Sequence, residues 1–255
     1  MTDQNADKMI LPAATVILLR DRPGGYEVLM VQRNPQVAFA ANALVFPGGR
    51  VDDADRSYAL RSESDPDDEL VAKIASIREC FEEARILLAR QSDQKQDFVD
   101  PVVLQKMDQT ANIYPQLEAQ NLKLAPDALT PFARWIAPKF APKRFDTWFF
   151  LAQAPEDHLA IHDGLESIAS TWIRPKDAIQ AAYNGIHAII FPTLMNLLRL
   201  AEYDKTQDLI TAAHKIPPQP IEPFMETRND VSHICIRSDA GYPINSMPAK
   251  GVLRG

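Results

Sequence analysis

Basic charge is scarce in this chain. Its 255 residues carry 27 lysines and arginines against 34 aspartates and glutamates, a formal net charge of −7. That balance argues against non-specific nucleic-acid binding, which needs a basic surface. Cysteine is scarcer still. Cys80 and Cys235 are the only two, and neither has a CxxC neighbour, so zinc and thiol-redox motifs are absent. Two cysteines fit a reducing compartment. The five histidines read as structural or exposed. No apolar run approaches the length of a membrane span. The polar, acidic start Met1 to Asp7 is unlike a signal peptide, and Leu253-Arg254-Gly255 is not a peroxisomal address. A cytoplasmic protein with no membrane and no nucleic-acid partner is expected. G-x-S-x-G and P-loop patterns are missing, which removes serine hydrolases of that type and P-loop nucleotide binders. No internal repeat or low-complexity tract occurs.

What remains is an ordinary globular composition, 46% hydrophobic and 24% charged. Ala13 to Arg20 and Tyr26 to Arg33 are β-rich runs separated by Asp21-Arg22-Pro23-Gly24-Gly25, which predicts a hairpin. Residues 34–42 read as a loop, and Ala43 to Phe46 as a short strand entering Pro47-Gly48-Gly49. Residues 56–68 are polar and read as a surface loop. From Asp67 to Arg90 the periodicity is helical, with Leu70, Ile74, Ile77, Phe81, Ala84 and Leu88 on one face. Residues 91–126 read as one or two polar helices. Strands are expected at 132–136, 145–152 and 171–173, helices at 176–183, 192–203 and 207–214, and one more strand at 231–236. Strands on both sides of a central amphipathic helix predict an α+β fold, an α/β/α sandwich. The expected organisation is a flexible tail at 1–10, a catalytic domain over 11–216 with insertions near 56–68 and 91–126, and a proline-rich extension at 217–255.

The central helix carries the most informative chemistry. At about 100° per residue, Glu82 and Glu83 fall within roughly one-sixth of a turn of Glu79, while Leu70, Phe81 and Leu88 face the other way. Three carboxylates at i, i+3 and i+4 repel, each pair costing about 0.2–0.5 kcal/mol on an exposed helix. A bound divalent cation turns that repulsion into ligation, and hard oxygen donors suit Mg²⁺ or Mn²⁺. Taken alone, the same pattern also fits a solvated acidic face.

Read as a whole, Phe46-Pro47-Gly48-Gly49 followed by Arg78-Glu79-Cys80-Phe81-Glu82-Glu83 resembles the Nudix hydrolase signature. The resemblance implies a Nudix-like mixed β-sheet flanked by helices, with extra helices here, and metal-assisted hydrolysis of a small-molecule diphosphate substrate. It assigns Glu79, Glu82, Glu83 and Gly49 to a Mg²⁺ or Mn²⁺ site, and Arg78 to orienting the glutamates. Glu82, Glu83 and Arg78 are thereby the candidate catalytic residues. Three features depart from the signature. Asp55 stands where the family has glutamate. Asp55 and Arg78 are 23 residues apart, where the family pattern has eight. Arg85 replaces a glycine. The interrupted box, the VFPGG strand and the RFDTWFF run resemble the Nudix branch typified by the mammalian peroxisomal coenzyme A diphosphatase, over roughly residues 10–203. That points to coenzyme A or an acyl-coenzyme A as substrate. The departures support a second reading, a catalytically inactive Nudix-fold binding module.

Outside the box, Glu166 precedes the strand containing Trp172. It reads either as a further site carboxylate, as in several family members, or as a plain loop carboxylate. Arg134, Lys139, Lys143 and Arg144 form a basic cluster with no acidic residue between Arg134 and Arg144. Arg134 and Arg144, with Arg33 ahead of the box, are candidate contacts for substrate phosphates, because a guanidinium fork matches phosphate oxygens. The alternative is a solvated strand connection. Trp148 reads as core rather than as a base-stacking group. The sequence leaves open a homodimer.

Overall fold

The computed structural model describes residues 9–36, 41–94, 96–156, 158–162, 164–165 and 167–250. Strands β1 (Ile10–Arg22) and β2 (Gly25–Arg33) form the expected hairpin. Gly24 and Gly25 supply the positive φ values, 82° and 140°, that so tight a reversal needs. Short strands β3 (Leu44–Val45) and β4 (Gly48–Arg50) follow, then helices α1 (Asp53–Ser62) and α2 (Asp68–Ala84). Next come β5 (Ala89–Gln91), α3 (Pro101–Leu104), α4 (Ile113–Ala119), β6 (Leu122–Leu124) and a 3-10 turn at Pro126–Ala128. Strands β7 (Thr130–Ile136), β8 (Arg144–Gln153) and β9 (Ser167–Ile173) lead into helices α5 (Pro175–Tyr183), α6 (Phe191–Leu200) and α7 (Thr206–Lys215). Four strands close the chain: β10 (Pro220–Ile221), β11 (Phe224–Arg228), β12 (Val231–Cys235) and β13 (Ser246–Pro248).

The main sheet runs β10-β7-β8-β1-β2-β3, with β4 joined to β1 and β9 joined to β2. It is mixed: β1 lies parallel to β8, whereas β1–β2, β1–β4 and β7–β8 are antiparallel. Both faces are covered. On one, Ala14, Val16, Leu18, Leu29, Val31 and Phe150 pack against Ile74, Ile77 and Phe81 of α2. On the other, Ile17, Leu19, Val28 and Met30 pack against Phe191, Leu194 and Leu197 of α6 and Leu209 of α7. Alternate residues of β1 therefore serve opposite cores, as the two-residue period of a strand requires. Each fully buried side chain of this size contributes about 1.5–3 kcal/mol. Among the described residues, no helix is long and apolar enough to cross a membrane.

Several expectations are corrected. Residues 56–68 are not a surface loop throughout, because α1 occupies Asp53–Ser62. It starts where the Asp52 amide donates to Asp55 Oδ2 at 2.7 Å, half of a capping-box arrangement. Its exposed side chains hide it from hydrophobic periodicity. The central helix stops at Ala84 rather than Arg90. Arg85 takes the left-handed conformation, φ 56°, and its amide closes onto the Phe81 carbonyl, so the chain leaves the helix there. This is the geometry a glycine adopts without strain, which accounts for the glycine of the resembling signature. Arg85 Nη2 donates to the Leu104 carbonyl at 3.0 Å, a charge-assisted bond that offsets part of the strain. Leu88, expected on the helix face, is buried from the segment beyond it. The 91–126 stretch holds two short helices and a two-stranded ribbon, β5–β6, and Ile113, Tyr114 and Leu117 of α4 are buried rather than polar-facing. Of the tail expected at 1–10, residues 1–8 lie outside the described residues, and Ile10 already opens β1.

Candidate active site

The Phe46-Pro47-Gly48-Gly49 turn and the last two turns of α2 meet beside β1. Strand β4 holds the turn, because Gly48, Gly49 and Arg50 pair with Thr15, Ala14 and Ala13. The Gly48 amide donates to Glu83 Oε2 at 2.9 Å, and Glu83 is buried. Both glycines are required by close approach. A Cβ on Gly48 would lie 2.5 Å from the Ala14 carbonyl oxygen, and one on Gly49 only 2.4 Å from Glu79 Oε1. The two clashes differ in kind. Gly48 meets backbone, which cannot yield, whereas Gly49 meets the end of a flexible side chain. Gly48→Ala is therefore expected to lower stability by about 1–3 kcal/mol. Gly49→Ala should change stability by less than about 1 kcal/mol and displace the Glu79 carboxylate. Turnover should then fall by up to about 100-fold, the scale of a 1 Å misplacement. Thermal unfolding and hydrolysis rates measured on both variants separate the two effects.

Arg78 organises the carboxylates. Its Nη1 donates to Glu79 Oε1 at 2.9 Å and to Glu82 Oε2 at 2.8 Å. Its Nε and Nη2 donate to Asp55 Oδ1 and Oδ2 at 2.8 and 3.0 Å, and Nη2 also reaches the Arg50 carbonyl at 2.8 Å. These five contacts match the five N–H donors of a guanidinium. Burial by itself acts to lower the Arg78 pKa, but hydrogen bonding to Asp55 and the charges of Glu79, Asp55 and Glu82 outweigh it, so the pKa is raised. Burial pushes the Glu82 carboxyl above its ordinary range, with Arg78 opposing the shift. Cys80 is fully buried, and burial, with the Glu83 charge, raises its thiol pKa, so it stays a neutral packing group.

Asp55 departs from the signature, yet it has a definite structural role. It is fully buried and grips Arg78 from across the inserted stretch. Arg85, the other local departure, caps α2. The features that motivated an inactive binding module therefore have structural explanations that leave the glutamates in place.

Among the described residues, no three His, Cys, Asp or Glu side chains converge as a ready-made metal cluster. In this arrangement Arg78 Nη1 sits between Glu79 and Glu82. A divalent ion nevertheless fits the residue types present. The donors are hard oxygens, suited to Mg²⁺ or Mn²⁺. The Gly48–Gly49 backbone comes within a Cβ's width of Glu79, a cradle that any larger residue would fill.

The remaining candidates divide. Gly49, Ala14, Trp148 and Arg134 lie in one row across β4, β1, β8 and β7, so Arg134 is about 14 Å from Gly49 at the usual strand spacing. Arg134 is paired with Asp146 at 2.6 and 2.9 Å, and its guanidinium lies 4.8 Å from the Trp148 ring centroid. Asp146, immediately outside the acid-free stretch in sequence, is opposite Ile136 on β7 and within reach of Arg134. Arg144 is buried, bound to the Ala137 carbonyl and to Glu222 Oε1, and so ties β8 to the C-terminal segment. Arg33 ends β2, opposite Ser167 at a bulge. Glu166 lies outside the described residues. Trp148 is partly buried and packs on the core below α2, stacked at 5.9 Å on Phe150.

A mixed sheet between two helical layers, with a Gly-Gly turn set against an Arg-Glu-x-x-Glu-Glu helix, defines a Nudix-type domain. The family model of the NUDT19 Nudix domain matches residues 59–200. This chain belongs to that family. It is 29% identical over 202 residues to putative nudix hydrolase 7 of Caenorhabditis elegans, covering 78% of this chain and 65% of that protein. It is 26% identical over 237 residues to human acyl-coenzyme A diphosphatase NUDT19, covering 72% of this chain and 63% of that protein. The matches thus span less than two thirds of these two relatives. Among solved structures, a NUDIX hydrolase from Alicyclobacillus acidocaldarius superposes with a TM-score of 0.69 at 26% identity, covering 81% of this chain and 97% of that one.

Proposed function

We propose that this chain hydrolyses the diphosphate linkage of a nucleoside diphosphate derivative, with coenzyme A or an acyl-coenzyme A as substrate. Water forms a new bond to one phosphorus, the bridging P–O bond breaks, and two phosphate monoesters result. The observation that carries this reading is the saturated Arg78 guanidinium, which orients Glu79 and Glu82 against the Gly48–Gly49 turn. The coenzyme A assignment rests on the human relative's name and on the interrupted box. Glu79 and Glu83 would hold Mg²⁺ or Mn²⁺, with the Gly49 backbone beside them, and Glu82 would orient the attacking water. Such an ion, when bound, polarises a phosphoryl oxygen and screens the leaving group. The protein's own contribution is positioning and electrostatics rather than covalent chemistry. Arg134, on the same row as Gly49, is the proposed contact for a more distant substrate phosphate, in exchange for Asp146.

The test is phosphate-monoester release, with Mg²⁺ and with Mn²⁺, across coenzyme A, acyl-coenzyme A, ADP-ribose, NADH, diadenosine polyphosphates and nucleoside triphosphates. Metal-dependent cleavage of coenzyme A or its thioesters is expected. Cleavage of a different compound would keep the chemistry and discard the substrate. Inertness toward every compound would discard both.

A further inference from the structure

We infer that Tyr114, contributed by helix α4 outside the Nudix box, is a positioning residue for the catalytic carboxylates, acting through Asp55 and Arg78. The inference rests on the hydrolase reading for its catalytic consequence, but not for its structural content.

Tyr114 is buried, and its hydroxyl donates to Asp55 Oδ1. Asp55 Oδ1 also accepts from Arg78 Nε, while Asp55 Oδ2 accepts from Arg78 Nη2 and from the Asp52 amide. The buried carboxylate thus has two donors on each oxygen, and Tyr114 supplies the one most distant in sequence, 59 residues away against 23 for Arg78. Burial, with the adjacent Asp55 charge, raises the Tyr114 pKa, so the phenol keeps its proton and remains the donor. Beyond Asp55, the guanidinium plane is fixed by its two bonds to that carboxylate. The direction of Nη1, and hence the placement of Glu79 Oε1 and Glu82 Oε2, follows from that plane. A relay of three links joins α4, α1 and α2. Elsewhere in α4, Ile113 and Leu117 are core groups, and Glu118 pairs with Arg61 of α1 rather than with the relay. The neighbouring Tyr58 provides an internal comparison. Its ring stacks on Tyr114 with centroids 4.9 Å apart, but its hydroxyl accepts from the Leu124 amide at 3.2 Å, away from the relay.

The experiment compares Tyr114→Phe with Tyr58→Phe in the full chain. Both keep the stacked rings and each loses one hydroxyl. Two readouts are taken: the solvent-exchange rate of the Arg78 Nε–H by NMR, assigned with Arg78→Lys, and kcat and KM on whichever diphosphate the wild type cleaves. Tyr114→Phe should speed Nε–H exchange about tenfold and lower kcat about tenfold, with KM within about twofold, the pattern of lost positioning rather than lost binding. Tyr58→Phe should leave both at wild-type values. Unchanged exchange in Tyr114→Phe, or equal changes in the two variants, would overturn the relay. Changed exchange with unchanged kcat would overturn its catalytic role. If the wild type cleaves nothing, the hydrolase reading and the catalytic role fall together, while the exchange rates still decide whether Tyr114 fixes Arg78.

Discussion

Glu83→Gln is expected to reduce turnover by about 10³-fold, the upper end of what a single electrostatic catalytic group supplies, while the folded state survives. The two halves of that result have separate causes. The glutamine carbonyl can still accept the Gly48 amide that Glu83 Oε2 holds at 2.9 Å, so the turn stays docked on α2. Removing the charge also eases the repulsion of neighbouring carboxylates on one helix face, which works against any loss of stability. What disappears is an anionic oxygen for a divalent cation. The measurement is kcat/KM with Mg²⁺ alongside circular dichroism and thermal unfolding of the same preparation. A variant that retains near-native rates would remove Glu83 from the mechanism. A variant that unfolds would show instead that the ionic form of Glu83 holds the turn.

Asp55→Ala is expected to be the most destabilising single change near the site. It strips a fully buried guanidinium clamp of two bonds, and leaves the Tyr114 hydroxyl and the Asp52 amide without their shared acceptor. Breaking one side of a buried ion pair costs about 3–5 kcal/mol, and Glu79 and Glu82, which still hold Arg78 Nη1, keep the loss toward the lower end. For a domain of this size that corresponds to a midpoint lowered by about 10 °C. Asp55→Glu separates charge from shape. It keeps the carboxylate and restores the residue of the resembling signature, at an overpacking cost of about 1–3 kcal/mol against Tyr114. Unfolding midpoints for the two variants should therefore rank wild type, then Asp55→Glu, then Asp55→Ala. An Asp55→Ala midpoint within 2 °C of wild type, roughly 1 kcal/mol or less, would show that Arg78 does not depend on this clamp.

The pattern of what was legible follows from the range of the interactions involved. The hairpin, β7, β8 and the helices after Pro175 and Thr206 follow from local periodicity and turn chemistry, and they lie within a few residues of their expected bounds. The α2 glutamates also follow from local spacing, since helix geometry alone puts Glu79, Glu82 and Glu83 on the face opposite Phe81. Two misses beside the site have separate causes. Helix α1 has mostly polar, exposed side chains and no hydrophobic stripe, yet Asp55 and Ala59 bury it against its neighbours. The end of α2 at Arg85 was obscured because its left-handed conformation is carried by an arginine rather than a glycine.

By itself, then, the sequence determined the mixed α+β fold, the position of the acidic helix face and the Gly-Gly turn, because each is written in periods of two to five residues. Only the tertiary structure decided that Asp55 clamps Arg78, that Tyr114 reaches Asp55 from another helix, and that Arg134 and Arg144 have carboxylates of their own. Those are contacts between segments 12 to 78 residues apart. Their geometry depends on how two layers pack on one sheet, and no local pattern of side chains encodes that.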